Sequence, residues 1–483
     1  MKILFILLES NQYPRFGIMC LSSALKEQGH EVALANLDDL GKIGLRTCIR
    51  DFAPDVIGYS AMTGEHLRIL ALNRALKHEF DFVSVLGGPH ATFAPDTIDE
   101  EPELDALCVG EADIAFPEFC NRLEQNRAWW ESPNFVVRRN GDIYRNSLMP
   151  LVEELDSLPI PDHRLIFEND SGLREEGTKI FFSGRGCPYA CTYCFNEKYN
   201  ELYRGKGSVL RTRSPESLVE EVAKVKDEYP LIGVWFHDDT FLKKPERWFD
   251  AFAALYKERI GLPFTCFVRP NLVTEQIIAR LRDAGLRSVW MGVECGDEQV
   301  ANDVLRRKIE NEEILNAARI LQHHGVMLVT QNLMGLPVQN SYQTDLKTLD
   351  LNIEIAPTFA WSSILYPYPG TPIQQFAIDH GFLSEGEMQF LETNKRSSIL
   401  TFSDPKEKRK IENLHKLFGV IVRFPWLRRH VDFLVSLPLG SVYRMVYYLW
   451  FGYIFKWKLF PFRAFRKEIG KFARLFFRMF RKT

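Results

Sequence analysis

Along the first 125 residues, apolar runs alternate with segments whose apolar positions fall at helical spacing. Residues 3–8 (ILFILL), 31–37 (EVALANL), 55–61 (DVIGYSA), 82–88 (FVSVLGG) and 106–113 (ALCVGEAD) read as short buried strands. Residues 17–30 carry Ile18, Leu21 and Leu25 on one helical face and end at Gly29, a helix-stop residue; another helix is predicted near 64–78. Continuous apolar strands separated by helices predict a doubly wound parallel sheet with helices on both faces. Ligands of such sheets sit beyond the strand C-termini. Ser60, Thr63, Gly87, Gly88, His90, Gly110 and Glu111 fall there, as binding residues or as ordinary turn residues.

Residues 131–178 read as a linker, with Trp129 and Trp130 just before it, a hairpin at Asn140-Gly141 and an extended LPIPDHR (158–164). A second alternating series follows, with strands at 179–186, 233–241, 263–270, 288–295, 326–337 and 360–370. The intervening helices carry recognisable ends. Ser214 precedes Pro215 as an N-cap, and Gly285 and Gly325 stop two others. Six strand–helix units predict a (β/α)6 partial TIM barrel over 179–375, whose chemistry sits at the strand C-termini. A helical extension (376–422) and a basic helical region (423–483) complete the chain.

Composition changes this picture in one respect. The 483 residues are 46% hydrophobic and 25% charged with net charge -3, which excludes a disordered or disulfide-stapled chain and argues against nucleic acid as a partner. Residues 423–483, however, hold 14 Lys and Arg against Asp432 and Glu468. That segment is +12 and the rest -15. The opening MKILFILLES reads as a buried strand and not a secretory signal, and nine cysteines then indicate a reducing, cytoplasmic setting.

Six cysteines are scattered, and Cys187, Cys191 and Cys194 are clustered in C-x3-C-x2-C spacing directly after the first barrel strand. A structural zinc site takes four protein ligands, and no fourth Cys or His lies in this loop. Three thiolates suit a four-iron cluster with one iron left open to a ligand. Zinc or unliganded thiols are the remaining readings.

This spacing, with Tyr193 before the last cysteine, resembles the radical S-adenosylmethionine (SAM) motif. HDDTF (237–241), VRPN (268–271), GVECGDEQV (292–300), VLRRK (304–308), NLMGLP (332–337) and YPYPGTP (366–372) are similar to later segments of that superfamily. VLGGPHAT (85–92) and VGEAD (109–113) resemble the Rossmann-like cobalamin-binding domain that often precedes the barrel. The likeness is to cobalamin-binding radical SAM enzymes, the class B methyltransferases and anaerobic tetrapyrrole cyclases. It implies a 4Fe-4S cluster on the three cysteines and SAM chelating the open iron. Reduction by an external flavodoxin- or ferredoxin-type donor would then release a 5'-deoxyadenosyl radical. It further implies SAM contacts from Tyr193, Asp238, Arg269, Glu294 and Gly335, and catalytic roles for Asp239, Tyr366 and Tyr368. Around cobalamin it implies Ser60, Thr63, Gly87, Gly88, His90, Gly110 and Glu111. The D-x-H-x-x-G signature of many cobalamin domains is absent: Gln12 and Pro14 stand at its Asp and His positions. The expectation is cobalamin without a histidine ligand, with Tyr13 or Arg15 beneath the corrin, or a degenerate domain that binds none.

Residues 433–455 are nearly uncharged but broken by Pro438, Gly440, Arg444 and Gly452, which argues against a spanning helix. Residues 458–482 place Phe472, Leu475, Phe476, Met479 and Phe480 on one helical face and cations on the other, the pattern of an interfacial membrane helix. The alternative is a tail docked on the acidic body or on a partner. The combined reading is a peripheral radical enzyme on the inner face of the membrane, methylating an unactivated carbon of a hydrophobic small molecule. Oxidative tetrapyrrole cyclisation is the rival reaction, and a non-catalytic cobalamin or redox sensor the rival class.

Overall fold

The computed structural model describes residues 1–9, 14–384, 397–454 and 458–459. Tyr13 and almost all of the interfacial helix expected at 458–482 lie outside the described residues. The first sheet has seven strands: β1 (Lys2–Leu7), β2 (Glu31–Asn36), β3 (Val56–Ser60), β4 (Val83–Gly87), β5 (Ala106–Cys108), β6 (Phe135–Arg139) and β7 (Asp142–Arg145). Their order is β2-β1-β3-β4-β5-β6-β7, with β1 to β5 parallel and β6 and β7 antiparallel. The alternating apolar runs thus form the doubly wound sheet their pattern requires. The hairpin is no part of a free linker. Asn140 and Gly141, both at positive φ, turn β6 into β7, and β6 pairs with β5, so the sheet runs to residue 145. Val136 and Val137 bury opposite faces of that edge, which is why it joins the core.

The second sheet comprises β8 (Thr178–Phe181), β11 (Gly233–Phe236), β12 (Phe264–Val268), β13 (Leu286–Glu294), β14 (Met327–Met334) and β15 (Phe359–Ile364) in parallel sequential order, the partial barrel expected. β9 (Gly184–Arg185) and β10 (Arg211–Thr212) form a separate antiparallel pair beyond the end of β8. The Ser214 side chain caps the helix Pro215–Glu228 by accepting from the Ser217 N–H, and Gly285 ends the helix Glu275–Ala284 at φ 119°. Alternation divides the barrel strands. Phe181, Phe236, Cys266 and Val289 pack outward with the helices, while Ile180, Trp235, Phe267, Trp290, Val329, Phe359 and Trp361 share the inner face. The helix Pro405–Arg423 lies against β15, the helix Gly440–Ile454 packs on that helix, and Ile454 and Leu459 join the inner aromatic cluster. Among the described residues no helix is long and apolar enough to cross a membrane.

Candidate functional site

The three clustered cysteines lie between β9 and the helix Phe195–Leu202, with Cys194 at the helix N-cap. Gly186 enters the loop at φ 82°, and a Cβ there would lie 1.9 Å from the Val209 carbonyl oxygen, so only glycine makes this turn. Thr192 pins the middle of the loop, donating from Oγ1 to the Val304 carbonyl (2.7 Å) and from its N–H to that of Leu305 (3.2 Å). None of the three cysteines is in a disulfide. Arg269 sits over the Tyr189 ring at 3.8 Å with Nη1 3.6 Å from Cys191 Sγ, and Asn196 Nδ2 is 3.6 Å from Cys194 Sγ. Burial pushes the Cys187 thiol up to about 11 and that of Cys194 up to about 12. Bare, these thiols stay protonated; a metal that displaces their protons makes them ligands. Three free thiols with cationic and amide donors beside their sulfurs fit a cluster held at three corners.

Next to this loop lies a buried polar network. Arg307 Nη1 donates to the Tyr193 hydroxyl (3.0 Å), and its Nη2 donates to the Gly292 carbonyl. Glu294 and Arg269 complete it: burial raises the Glu294 carboxyl, against the pull of Arg307, the Tyr193 hydroxyl and Arg269. The β13–β14 register shifts between Gly292 and Glu294, and a Cβ on Gly292 would come within 2.7 Å of Glu294 Oε1. Glu294, Arg306 and Lys308 all hold φ between 51° and 67°, a left-handed conformation that non-glycine residues adopt at a cost of about 1–3 kcal/mol each. Three such residues around one guanidinium mark a built site. Arg307 stood in the VLRRK segment with no role assigned; only the fold brings it to Tyr193, 114 residues away.

The two neighbouring aspartates differ. Asp238 was expected at SAM, but it accepts from the Ser183 N–H (2.6 Å), the Ser183 hydroxyl and Lys244 Nζ (2.9 Å). Those bonds tie the end of β8 to that of β11 and occupy the carboxylate. Asp239 instead lines the cavity described below; burial raises its carboxyl, while the Asn196 amide pulls it down. At Gly335 (φ 70°) the N–H donates to the Asp345 carboxylate (3.1 and 3.2 Å), and a Cβ would lie 3.1 Å from Ile411 Cγ2. The close approach there is that of the helix Pro405–Arg423. Tyr366 and Tyr368 meet edge to face at 5.1 Å, and Tyr368 lies 5.0 Å from Phe195; neither lines the cavity.

A cavity of about 410 Å³ lies between the two sheets. Ser60, Gly87, Gly88, Gly110 and Glu111 line it from the first sheet, and Phe182, Gly184, Arg185, Gly186, Asn196 and Asp239 from the barrel side. It reaches down among Phe5, Ile18, Val85 and Phe116, between the sheet and the helices Phe16–Glu27 and Ala115–Glu124. Gly88 (φ 89°) leaves no room for a Cβ, which would lie 2.9 Å from the Ala61 nitrogen. An apolar shaft under a glycine-lined rim fits a large planar cofactor with a pendant base.

Several expected cobalamin contacts lie elsewhere. His90 is buried away from the cavity, stacked on His66 at 3.6 Å, with Nδ1 3.2 Å from Thr63 Oγ1 and Nε2 3.0 Å from Thr97 Oγ1; burial lowers its pKa to about 4. Thr63 is therefore a partner of His90. Arg15 is held by Glu65 at 2.6 and 2.8 Å. Glu111 lines the cavity, but its carboxylate accepts from both Nη atoms of Arg211 (2.8 and 2.6 Å). The sequence reading missed the rest of this clamp. Arg185, two residues before Cys187, donates to both oxygens of Asp113 (2.7 and 2.9 Å), and the Glu111 N–H donates to the Tyr203 hydroxyl (2.8 Å). Phe93 stacks on Phe195 at 4.7 Å. An arginine between two glycines, immediately before the cysteines, was the available signal.

Three free thiols on a loop whose flanking residues Gly186 and Asn196 line a cavity shared with a nucleotide-type sheet fit an iron–sulfur enzyme with a second cofactor domain. Residues 181–345 match the radical SAM superfamily and residues 8–120 the B12-binding domain. An uncharacterized methyltransferase of Pyrococcus horikoshii is 25% identical over 376 residues, covering 77% of this chain and 80% of that protein. The anaerobic magnesium-protoporphyrin IX monomethyl ester cyclase of Rubrivivax gelatinosus is 23% identical over 386 residues, covering 76% and 66%. The cobalamin-dependent SAM radical enzyme OxsB, solved with aqua-cobalamin and SAM, shares the fold at TM-score 0.70 and 16% identity, covering 98% of this chain and 75% of that one. The chain carries both a radical SAM domain and a B12-binding domain, and its cofactors are a 4Fe-4S cluster, SAM and cobalamin. The similarity to methyltransferases supports an enzyme and not the sensor alternative.

Proposed function

We propose that this enzyme methylates an unactivated carbon of a hydrophobic small molecule. The carrying observation is the shared cavity, bordered at once by the glycine rim of the B12-binding domain and by Asp239 and Asn196 beside the cysteine loop. When bound, the cluster with SAM supplies a hydrogen-abstracting 5'-deoxyadenosyl radical, and cobalamin supplies the methyl group. The chain's own residues position and enclose. Arg269 and Arg307 hold positive charge near the Cys191 sulfur and suit a carboxylate ligand. Glu294 and Tyr193 offer acceptors to an amine or ribose. Phe16, Phe116, Phe182 and Tyr199 keep the shared cavity apolar, which protects a radical from water. Asp239 holds a carboxyl, protonated more readily than usual, within the cavity wall where it orients substrate.

The substrate is a small molecule and the electron comes from an external donor; peripheral membrane attachment belongs to this proposal. Oxidative cyclisation is the second reading, favoured by the similarity to the Rubrivivax cyclase. Incubating the reconstituted enzyme with lipid and tetrapyrrole extracts and methyl-labelled SAM separates them. Methylation puts the label into a product one CH2 heavier; an unlabelled product of lower hydrogen content refutes the proposal in favour of cyclisation.

A further inference from the structure

Of the fourteen large apolar side chains exposed among the described residues, eight fall between Phe424 and Tyr453. The helix Gly440–Ile454 explains the concentration. Its Tyr443, Trp450, Phe451 and Ile454 pack inward: the Tyr443 hydroxyl donates to the Leu434 carbonyl (2.8 Å), Phe451 meets Phe359 at 5.9 Å, and Ile454 joins the barrel's inner cluster. The opposite face carries Val442, Met445, Leu449 and Tyr453 at i, i+3, i+7 and i+11, with Leu449 54% exposed. A helix apolar on two opposite faces, with Arg444 its one charge, belongs in a largely apolar surrounding. Trp426 (61% exposed) and Phe433 (67%) extend the patch onto the preceding turn and helix.

Charge selects the occupant. Within 423–454 the one acid is Asp432, and it is engaged by the Tyr342 hydroxyl at 2.8 Å. Arg423, Arg429 and Arg444 make no ion pair among the described residues, and residues 423–483 total +12. An apolar stripe bordered by unpaired cations matches an anionic bilayer surface, hydrocarbon under phosphate. The acidic remainder of the chain, at -15, is repelled by the same surface, which orients the molecule.

We propose that the face formed by Trp426, Phe433, Val442, Met445, Leu449 and Tyr453 docks on an anionic lipid bilayer. The helix Gly440–Ile454 then separates membrane from barrel interior, so a lipid-soluble substrate passes from one to the other along its flank. This route rests on the hydrophobic-substrate reading; the docking does not.

The test is sedimentation of the full chain with vesicles of phosphatidylcholine alone and of phosphatidylcholine with phosphatidylglycerol, at low and high salt. Binding is expected on the anionic vesicles at low salt, weakened at least about tenfold by high salt or by neutral lipid. The double variant M445E/L449E, altered only at exposed positions, should lose at least about tenfold in vesicle binding. Brominated lipid should quench tryptophan emission, and W426F should remove part of that quenching. Failure of the wild type to bind, or equal binding by the double variant, overturns the docking face. A dimer that dissociates in the variant assigns the face to a second copy instead. Iron, cobalt and uncoupled 5'-deoxyadenosine formation, measured on the same preparations, should match the wild type in the variant; their absence from both would refute the enzyme reading separately.

Discussion

Asp113→Ala would test how the B12-binding domain grips the cysteine loop. The Asp113 carboxylate accepts two bonds from Arg185 at 2.7 and 2.9 Å, with 8% of its side chain exposed and 25% of that of Arg185. Burial works against its charge, but Arg185 wins, and the carboxyl is held below its usual range. Removing it leaves the guanidinium facing Glu111 at 3.5 Å, an acid already taken by Arg211 at 2.6 Å. Breaking a fully buried pair on one side costs about 3–5 kcal/mol. With Arg185 partly exposed and Glu111 as a residual partner, about 2 kcal/mol is expected here. If that energy holds the cavity closed around cobalamin, cobalamin affinity falls about thirtyfold. Asp113→Asn keeps shape and one acceptor and should lose less. The assays are urea midpoints and cobalamin titration by absorbance. Because Arg185 is two residues from Cys187, the electron paramagnetic resonance spectrum of the reduced cluster should also broaden. Wild-type midpoint and cobalamin affinity in Asp113→Ala would refute the clamp.

Gly110→Ala places a Cβ 1.9 Å from the Tyr203 hydroxyl at φ 76°, and should destabilise by at least about 2 kcal/mol; Y203F should recover part of this in the double variant, and an undisturbed melting point would contradict the packing. Arg307→Lys cannot serve both the Tyr193 hydroxyl and the Gly292 carbonyl, so SAM affinity by equilibrium dialysis should drop about tenfold; an unchanged affinity removes this network from the SAM site. His90, lowered to about 4 by burial, stays neutral in the fold while the unfolded chain takes up its proton near pH 6.5. Stability is therefore full above pH 6.5 and is lost as pH falls towards 4. Urea midpoints across that range should fall less steeply in His90→Gln; parallel curves would contradict the assignment.

Much of the fold was legible because strand and helix periods differ along the chain. ILFILL and SVWMGV are too short and too continuously apolar to be anything but buried strands, and Ser214, Gly285 and Asn140-Gly141 carry their local conformations with them. The cysteine loop was legible because three cysteines fall within eight residues. What failed were decisions that depend on register. Asp238 and Asp239 are adjacent at a strand end, where alternation sends one to Ser183 and Lys244 and the other to the cavity. Glu111 and Arg211, or Tyr193 and Arg307, are about a hundred residues apart, and nothing local marks them as partners. Likewise the 135–145 hairpin is indistinguishable from a linker ornament until its pairing with β5 is seen.

Iron and cobalt per chain, counted after anaerobic purification with cobalamin supplied, bear most directly on the shared cavity. About four irons and one cobalt are expected, with the cobalt reduced or lost in Asp113→Ala. Four irons without cobalt in the wild type would contradict cobalamin in that cavity, and methyl transfer with it.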